Sequence, residues 1–430
     1  MNVHDDPTGS CHLHGCTTGP GIDVRTTGVL RLPAQILFGA DSVKAVPALV
    51  RPHGTRILVC TDPTMAVTPG LAALRDSLAQ AGMEVVVFDR GVPELPVTVI
   101  DDAVHEARAF RPDIVLGFGG GSSMDLAKAT ALMLSHQGPL SSYYGENQVP
   151  GPVIPIVAVP TTAGTGSEVT PVAVVSDPER LLKVGVSSPY LIPTYAVVDP
   201  TLTLGCPVGV SAHAGADALA HAMESLTAGR RRPAWQDQLP VFVGSNQFGR
   251  ALALQAVTAI GSSLRTVVAA PGDEDARTAM SYASLCAAMS FGSAGTHLGH
   301  ALQYSIGAAT HTSHGLGVGL LLPYVLEVCR STCEEGILAA ADALGIAPGA
   351  GTEARVDAVI DEVQAICTDI GIPATLAEIG VDRGDLSEFA AQTSTFGRLV
   401  QNAPLQADQA LLLAVLEAAW DGDRSRLGHR

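Results

Sequence analysis

The sequence predicts a parallel-sheet α/β domain of nucleotide-binding type followed by an all-helical domain. Three observations carry this. Short runs that are apolar throughout recur before residue 200: ILVC (57–60), VVVF (85–88), IVLGF (114–118) and IPIVAV (154–159). Stretches of helical periodicity separate them, such as LAALRDSLAQAG (71–82) and VIDDAVHEARAF (99–110). From about Thr201 onward strand-like runs cease and Ala/Leu-rich helical segments dominate, as in VSAHAGADALAHAMESL (210–226) and ADQALLLAVLEAAW (407–420). A strand without polar alternation is buried on both faces, which requires helices on either side of the sheet. The expected division is a tail at 1–24, an α/β domain at 25–200 and a helical domain at 201–430.

The tail is rich in Gly, Thr, His and Asp and is expected to be a disordered leader. Its Cys11-His12-Leu13-His14-Gly15-Cys16 could bind a soft metal, but it lacks the paired CxxC spacing of a zinc site. No signal-peptide pattern opens the chain, since acids stand where positive charge is needed. No apolar run approaches the roughly 18 residues of a membrane span, because proline or charge interrupts the longest ones. A cytoplasmic location is the expectation. A net charge of −17 over 430 residues offers no basic field for nucleic acid or an anionic membrane. The eight cysteines are widely spread. Cys60, Cys286 and Cys329 fall in apolar runs, as buried thiols do.

After the strand IVLGF comes GFGGGSSMDLAKA (117–129), which opens a helix. Glycines let the backbone approach a phosphate, and the helix N-terminus offers free N–H groups. The spacing is not G-x-G-x-x-G. Asp62, at the end of ILVCT, could accept hydrogen bonds from an adenosine ribose and repel a 2′-phosphate, favouring NAD over NADP. It could equally open a turn before Pro63. A second loop, VPTTAGTGSEVT (159–170), again follows a buried strand and sets hydroxyls beside glycines, suited to a pyrophosphate or ribose.

In the helical half, Asp217 and His221 stand at i and i+4, one turn apart on a single face. Residues 295–315, GTHLGHALQYSIGAATHTSHG, hold His297, His300, His311 and His314. A carboxylate with three imidazoles makes a donor set of borderline softness, suited to Fe(II) or Zn, and a catalytic ion needs an open position besides. His297 and His300 are about 60° apart on a helix, so both could point inward. Spacing leaves the choice open.

The order of these strings, strand-Asp62, GGGSSMDLAKA, PTTAGTGSEVT, GADALAHAMES and a histidine stretch ending in SHG, resembles the iron-dependent (group III) alcohol dehydrogenase family over about residues 25–425. The resemblance implies a Rossmann-like N-terminal domain and a helical C-terminal domain (dehydroquinate synthase-like), with the active site between them. It implies metal ligands at Asp217, His221, His300 and His314. It places cofactor contacts at Asp62, Gly120, Gly121, Ser122, Asp125, Thr161, Thr162 and Lys183, and leaves His297 and His311 beside the site. Where many members carry a further histidine, this chain has Tyr304. With His311, Tyr304 is the candidate proton relay, although a phenol of pKa about 10 is no base near neutrality.

The implied reaction is reversible hydride transfer between a small alcohol or aldehyde and NAD(H), with Fe(II), or alternatively Zn, polarising the substrate oxygen. Family members are commonly dimers or larger, so a homodimer or larger homo-oligomer is expected. The text around Tyr304 is also similar to the hydroxyacid–oxoacid transhydrogenase branch, which would retain NAD and need a cation for a substrate carboxylate. Lys183 and Arg230 to Arg232 are the cations within view. A dehydroquinate synthase-like lyase would need a basic phosphate cluster near the metal that the sequence lacks. Gly292, Ser293, Ala294 and the loop 230–248, with Trp235, Phe242 and Phe248, are expected to shape the pocket.

Overall fold

A computed structural model describes residues 27–180, 183–231, 238–349 and 351–428. The Cys11–Cys16 motif, Arg232 and Trp235 lie outside the described residues.

Nine strands are named: β1 (Gln35–Phe38), β2 (Arg56–Cys60), β3 (Glu84–Phe88), β4 (Ile114–Gly119), β5 (Gly145–Glu146), β6 (Ile156–Pro160), β7 (Val172–Val175), β8 (Val184–Ser187) and β9 (Tyr195–Val198). Six form one sheet in the order β1-β9-β6-β4-β2-β3. Every pairing within it is parallel. The four apolar runs read from the sequence are β2, β3, β4 and β6. Both β4 and β6 are buried at every position, which explains the missing polar alternation.

Successive side chains of a strand point to opposite faces, and the packing follows. Ile57, Val59, Ile114, Leu116 and Phe118 pack with Leu71, Leu74 and Leu78 of the helix Pro69–Gln80. Leu58, Cys60 and Val115 pack on the other side against Ile100, Ala103 and Val104 of the helix Val97–Phe110 and Leu126 of the helix Gly121–Ser135. The chain order reverses between β2 and β4, with β3 outside one and β6 outside the other. A crevice opens at such a reversal beyond the carboxyl ends of the strands.

A small second sheet, in the order β5-β8-β7, stands beside the first and was not legible in the sequence. Its strands span only two to four residues. No named strand follows β9 among the described residues.

The helix Val208–Thr227 runs through the centre of the helical half. The helices Gln247–Ala269, Glu274–Ala294 and His314–Ala343 pack around it, and one apolar core joins all four. Alanine and glycine let these neighbours approach closely. Two of these helices are long and apolar on average, although neither holds an unbroken apolar run. Gln247–Ala269 and His314–Ala343 have the length and mean hydropathy, 1.4 and 1.3, of a membrane span. Small residues and scattered charges kept their apolar character from forming an unbroken run. Both contribute to the common core, and 78% of the apolar window in the second is buried inside the protein.

Leu116 is fully buried at the centre of the large sheet. Leu116→Ala is expected to cost about 2–5 kcal/mol of unfolding free energy, read as a lower urea midpoint with an unchanged slope.

Candidate metal and dinucleotide site

Asp217 and His221 project from the same face of the helix Val208–Thr227. His300 comes from the helix Leu298–Thr310, and His314 is the first residue of the helix His314–Ala343. All four meet. Asp217 Oδ1 lies 3.6 Å from His221 Nε2, and 3.7 Å from both His300 Nε2 and His314 Nε2. The donor atoms of Asp217, His300 and His314 fall within 4.8 Å of one another, and His221 joins through its approach to Asp217. Gly315 allows this closeness: a Cβ there would collide with the His213 carbonyl oxygen on the helix carrying Asp217.

The electrostatics are those of a site built around a cation. Burial pushes the Asp217 carboxyl up to about 7, with His300 opposing and Glu224 assisting. Burial and neighbouring imidazoles push His221 and His314 well below the usual histidine range. The result is neutral imidazoles facing a carboxylate that is costly to ionise. Asp217 Oδ1 and His300 Nε2 are buried and have no hydrogen-bond partner. Unpaired buried acceptors are expensive unless something positive satisfies them. Three imidazoles and one carboxylate therefore fit a divalent transition ion.

Glu224, fully buried one turn after His221, organises the cluster and was missed in the sequence. It accepts from the backbone N–H groups of His297 at 2.7 Å and Gly299 at 2.6 Å, and from His300 Nδ1 at 2.8 Å. Burial raises its pKa, but His297, His300 and these bonds outweigh that and bring it down to about 2. An ionised acceptor requires a proton on His300 Nδ1, so a neutral ring would carry its lone pair on Nε2, the nitrogen facing Asp217. Its signal was present: a glutamate three residues after His221, in an alanine-rich helix buried over most of its length.

Of the two neighbouring histidines, His300 turns Nε2 to within 3.7 Å of Asp217 Oδ1. His297 is fully buried, bonds Thr227 Oγ1 through Nε2 at 2.9 Å, and lies behind the cluster with Glu224.

A cavity of about 520 Å³ opens on the cluster; its walls include Thr296, Phe291, Phe242, Tyr304, His311 and Arg398. The Tyr304 ring stacks on His314 at 5.7 Å and lies 5.4 Å from Phe396. Burial raises the Tyr304 pKa, with Arg398 opposing. His311 is exposed at the rim, with φ +55° at a helix C-terminus.

A second cleft, about 970 Å³, lies at the strand-order reversal and adjoins the first through Pro93, Gly121 and Ser122. Asp62, Gly120, Gly121, Ser122, Thr161 and Thr162 all line it. The helix Gly121–Ser135 begins there without a side-chain cap, leaving its first N–H groups available to an anion. Gly119 turns the chain into it at φ +144°, a conformation L side chains rarely adopt. Asp62 opens the turn before Pro63, as one of its two readings has it. Oδ1 caps the short helix Pro63–Ala66 through Thr64 N and Met65 N, while Oδ2 lies 3.5 Å from Ser123 Oγ at the cleft.

Asp125 and Lys183 differ from the other expected cofactor contacts, because they line the metal cavity and not the larger cleft. Asp125 accepts from Ser167 Oγ at 2.6 Å and Val174 N at 2.9 Å. Lys183 pairs with Glu94 at 2.9 Å. One turn after Asp125, buried Lys128 donates to the carbonyls of Thr170 and Val172, both at 2.8 Å. The acid and the lysine of GGGSSMDLAK thus tie the first glycine loop to the second and to the strand that follows it. Among the other pocket expectations, Phe242 lines the metal cavity, whereas Phe248 is 48% exposed and packs near Gly28. Arg230 is paired with Glu335 and is not part of the cavity wall.

Glu224→Ala is expected to cost about 3–5 kcal/mol of stability, because it strands two backbone N–H groups and an imidazole in a dry interior. Urea unfolding of the variant measures it.

Residues 33–200 match the family model for iron-containing alcohol dehydrogenase, and residues 211–420 match the C-terminal model of the Fe-containing alcohol dehydrogenase family. Sulfoacetaldehyde reductase of Bilophila wadsworthia is 32% identical over 391 residues, covering 90% of this chain and 97% of the relative. Long-chain-alcohol dehydrogenase 1 of Geobacillus thermodenitrificans is 34% identical over 381 residues, covering 88% and 92%. A crystal structure of 1,3-propanediol oxidoreductase superposes with TM-score 0.85 at 30% identity, over 92% of this chain and 100% of that one. The chain belongs to the iron-containing alcohol dehydrogenase family.

Proposed function

We propose that this protein transfers a hydride reversibly between a small alcohol or aldehyde and NAD(H), with Fe(II), or Zn in its place, held by Asp217, His221, His300 and His314. The observation that carries this is the convergence of buried, partnerless donor atoms beside a phosphate-type cleft at the strand-order reversal. An ion in this position supplies Lewis-acid polarisation of the substrate oxygen, worth several kcal/mol as alkoxide character develops.

The chain's own residues do the rest. Gly120, Gly121 and Ser122 present N–H groups to the pyrophosphate, with Thr161 and Thr162 facing them across the cleft. Asp62 accepts from the adenosine ribose, and its charge repels a 2′-phosphate, which favours NAD over NADP. Burial of the metal cavity holds the carbinol carbon and the nicotinamide in a near-attack arrangement away from bulk water. Tyr304 keeps its proton near neutral pH, since burial raises its pKa, and so serves as a hydrogen-bond donor to the substrate. The released proton reaches solvent at the rim, where His311 stands exposed.

His300→Ala is expected to lose both the bound ion and turnover, measured by metal analysis of anaerobically purified protein alongside NADH formation. Normal turnover with a stoichiometric ion would overturn the ligand assignment. Tyr304→Phe is expected to lower kcat/KM about tenfold while metal content holds, the scale of one lost hydrogen bond. An unchanged kcat/KM would remove Tyr304 from the substrate's surroundings.

A further inference from the structure

The wall of the metal cavity facing Tyr304 carries a cation that the reaction above does not use. Arg398 lines this cavity and also a neighbouring one of about 700 Å³; Val172, Val174, Lys183 and Tyr304 form part of the same partition. Its guanidinium carbon sits 4.6 Å from the Phe242 ring centroid. A guanidinium's donors lie in its plane, so an aromatic ring over one face leaves them free. Among the described residues the Arg398 side chain has no hydrogen-bond or ion-pair partner. Its neighbours are otherwise committed. Lys183 is paired with Glu94, and Glu146 accepts from Val241 N at 3.3 Å. Burial lowers the Arg398 pKa, with Tyr304 and Glu146 opposing and Arg231 adding to the fall, as for a cation short of counter-charge.

An unpaired planar cation in a wall shared with the metal cluster is costly in the empty protein and favourable once an anion arrives. On a chain of net charge −17 such a site is conspicuous. Resting on the alcohol–aldehyde reading above, we propose that Arg398 selects substrates whose short chain ends in an anionic group, a carboxylate or a sulfonate. The oxygen-bearing carbon lies toward Asp217 and His300, and the anion is forked by the guanidinium. Tyr304, between His314 and Phe396, then flanks the chain that joins the two ends.

The test uses the metal- and NAD-loaded enzyme. Its turnover arm compares γ-hydroxybutyrate with its neutral amide, and isethionate with the neutral hydroxyethyl methyl sulfone. Wild type is expected to favour one anion of these pairs by about tenfold or more in kcat/KM, the range of a charge-assisted hydrogen bond. In Arg398→Gln that ratio should collapse toward unity, and in Arg398→Lys, which keeps the charge without the fork, it should fall partway. Which pair shows the preference separates carboxylate from sulfonate.

Calorimetric titration with butyrate and ethanesulfonate reads the anion site without turnover. Heat in wild type that is weakened by salt and lost in Arg398→Gln supports the proposal. Equal use of charged and neutral substrates by wild type, or no heat with either anion, overturns it. Failure to reduce NAD with any alcohol would sink the alcohol–aldehyde reading alone, because the titration still decides the anion site. If Arg398→Gln does not fold, the wild-type ratio and its comparison with Arg398→Lys settle the matter.

Discussion

A carboxylate buried among imidazoles is the constraint from which the rest of the site follows. Asp217 sits deep in the helical half, where its ionised form is disfavoured, and its Oδ1 faces nitrogen lone pairs in place of donors. Left so, the arrangement would cost several kcal/mol. The surrounding structure is built to keep it. Glu224 takes the His300 proton on the far side of the ring, and Gly315 removes the bulk that would hold His314 away. A positive ion among these atoms turns each of those costs into a favourable contact.

The second constraint joins the halves. The crevice of a parallel sheet opens where strand order reverses, and here that is beyond β2 and β4. Asp62 and Gly120–Ser122 stand at its edge. The helical half reaches that crevice through Leu202, Cys206 and Val210, and its cluster opens into a cavity that shares Gly121 and Ser122 with it. Hydride chemistry needs such continuity, because the dinucleotide's two ends have different requirements: phosphate contacts at one, a dry polarising site at the other.

Much of this was legible in the sequence, and the exceptions have physical reasons. Strands buried on both faces announce themselves, as β2 and β6 do, whereas β7 and β8 are too short for any pattern and owe their existence to each other. The i, i+4 pair Asp217 and His221 follows from helical geometry alone. The selection of His300 over its neighbour does not, because it depends on Glu224, which lies 76 positions from His300 in the chain. Resemblance grouped Asp125 and Lys183 with the cofactor contacts, while the fold sets them on the metal cavity's wall. Arg398 stood unseen for a related reason: its significance comes from what its helix packs beside, and nothing within its own stretch of text refers to the cluster.

The tie made by Lys128 has a consequence for how the crevice behaves as a whole. Its ammonium is anchored to two carbonyls at and just past the end of the second glycine loop, while its own helix begins at the first. The two lips are thereby hydrogen-bonded to each other. With the Asp125 carboxylate, which accepts from Ser167 Oγ and Val174 N, it makes a polar seam between the two lips, so their spacing is fixed by the protein's own side chains.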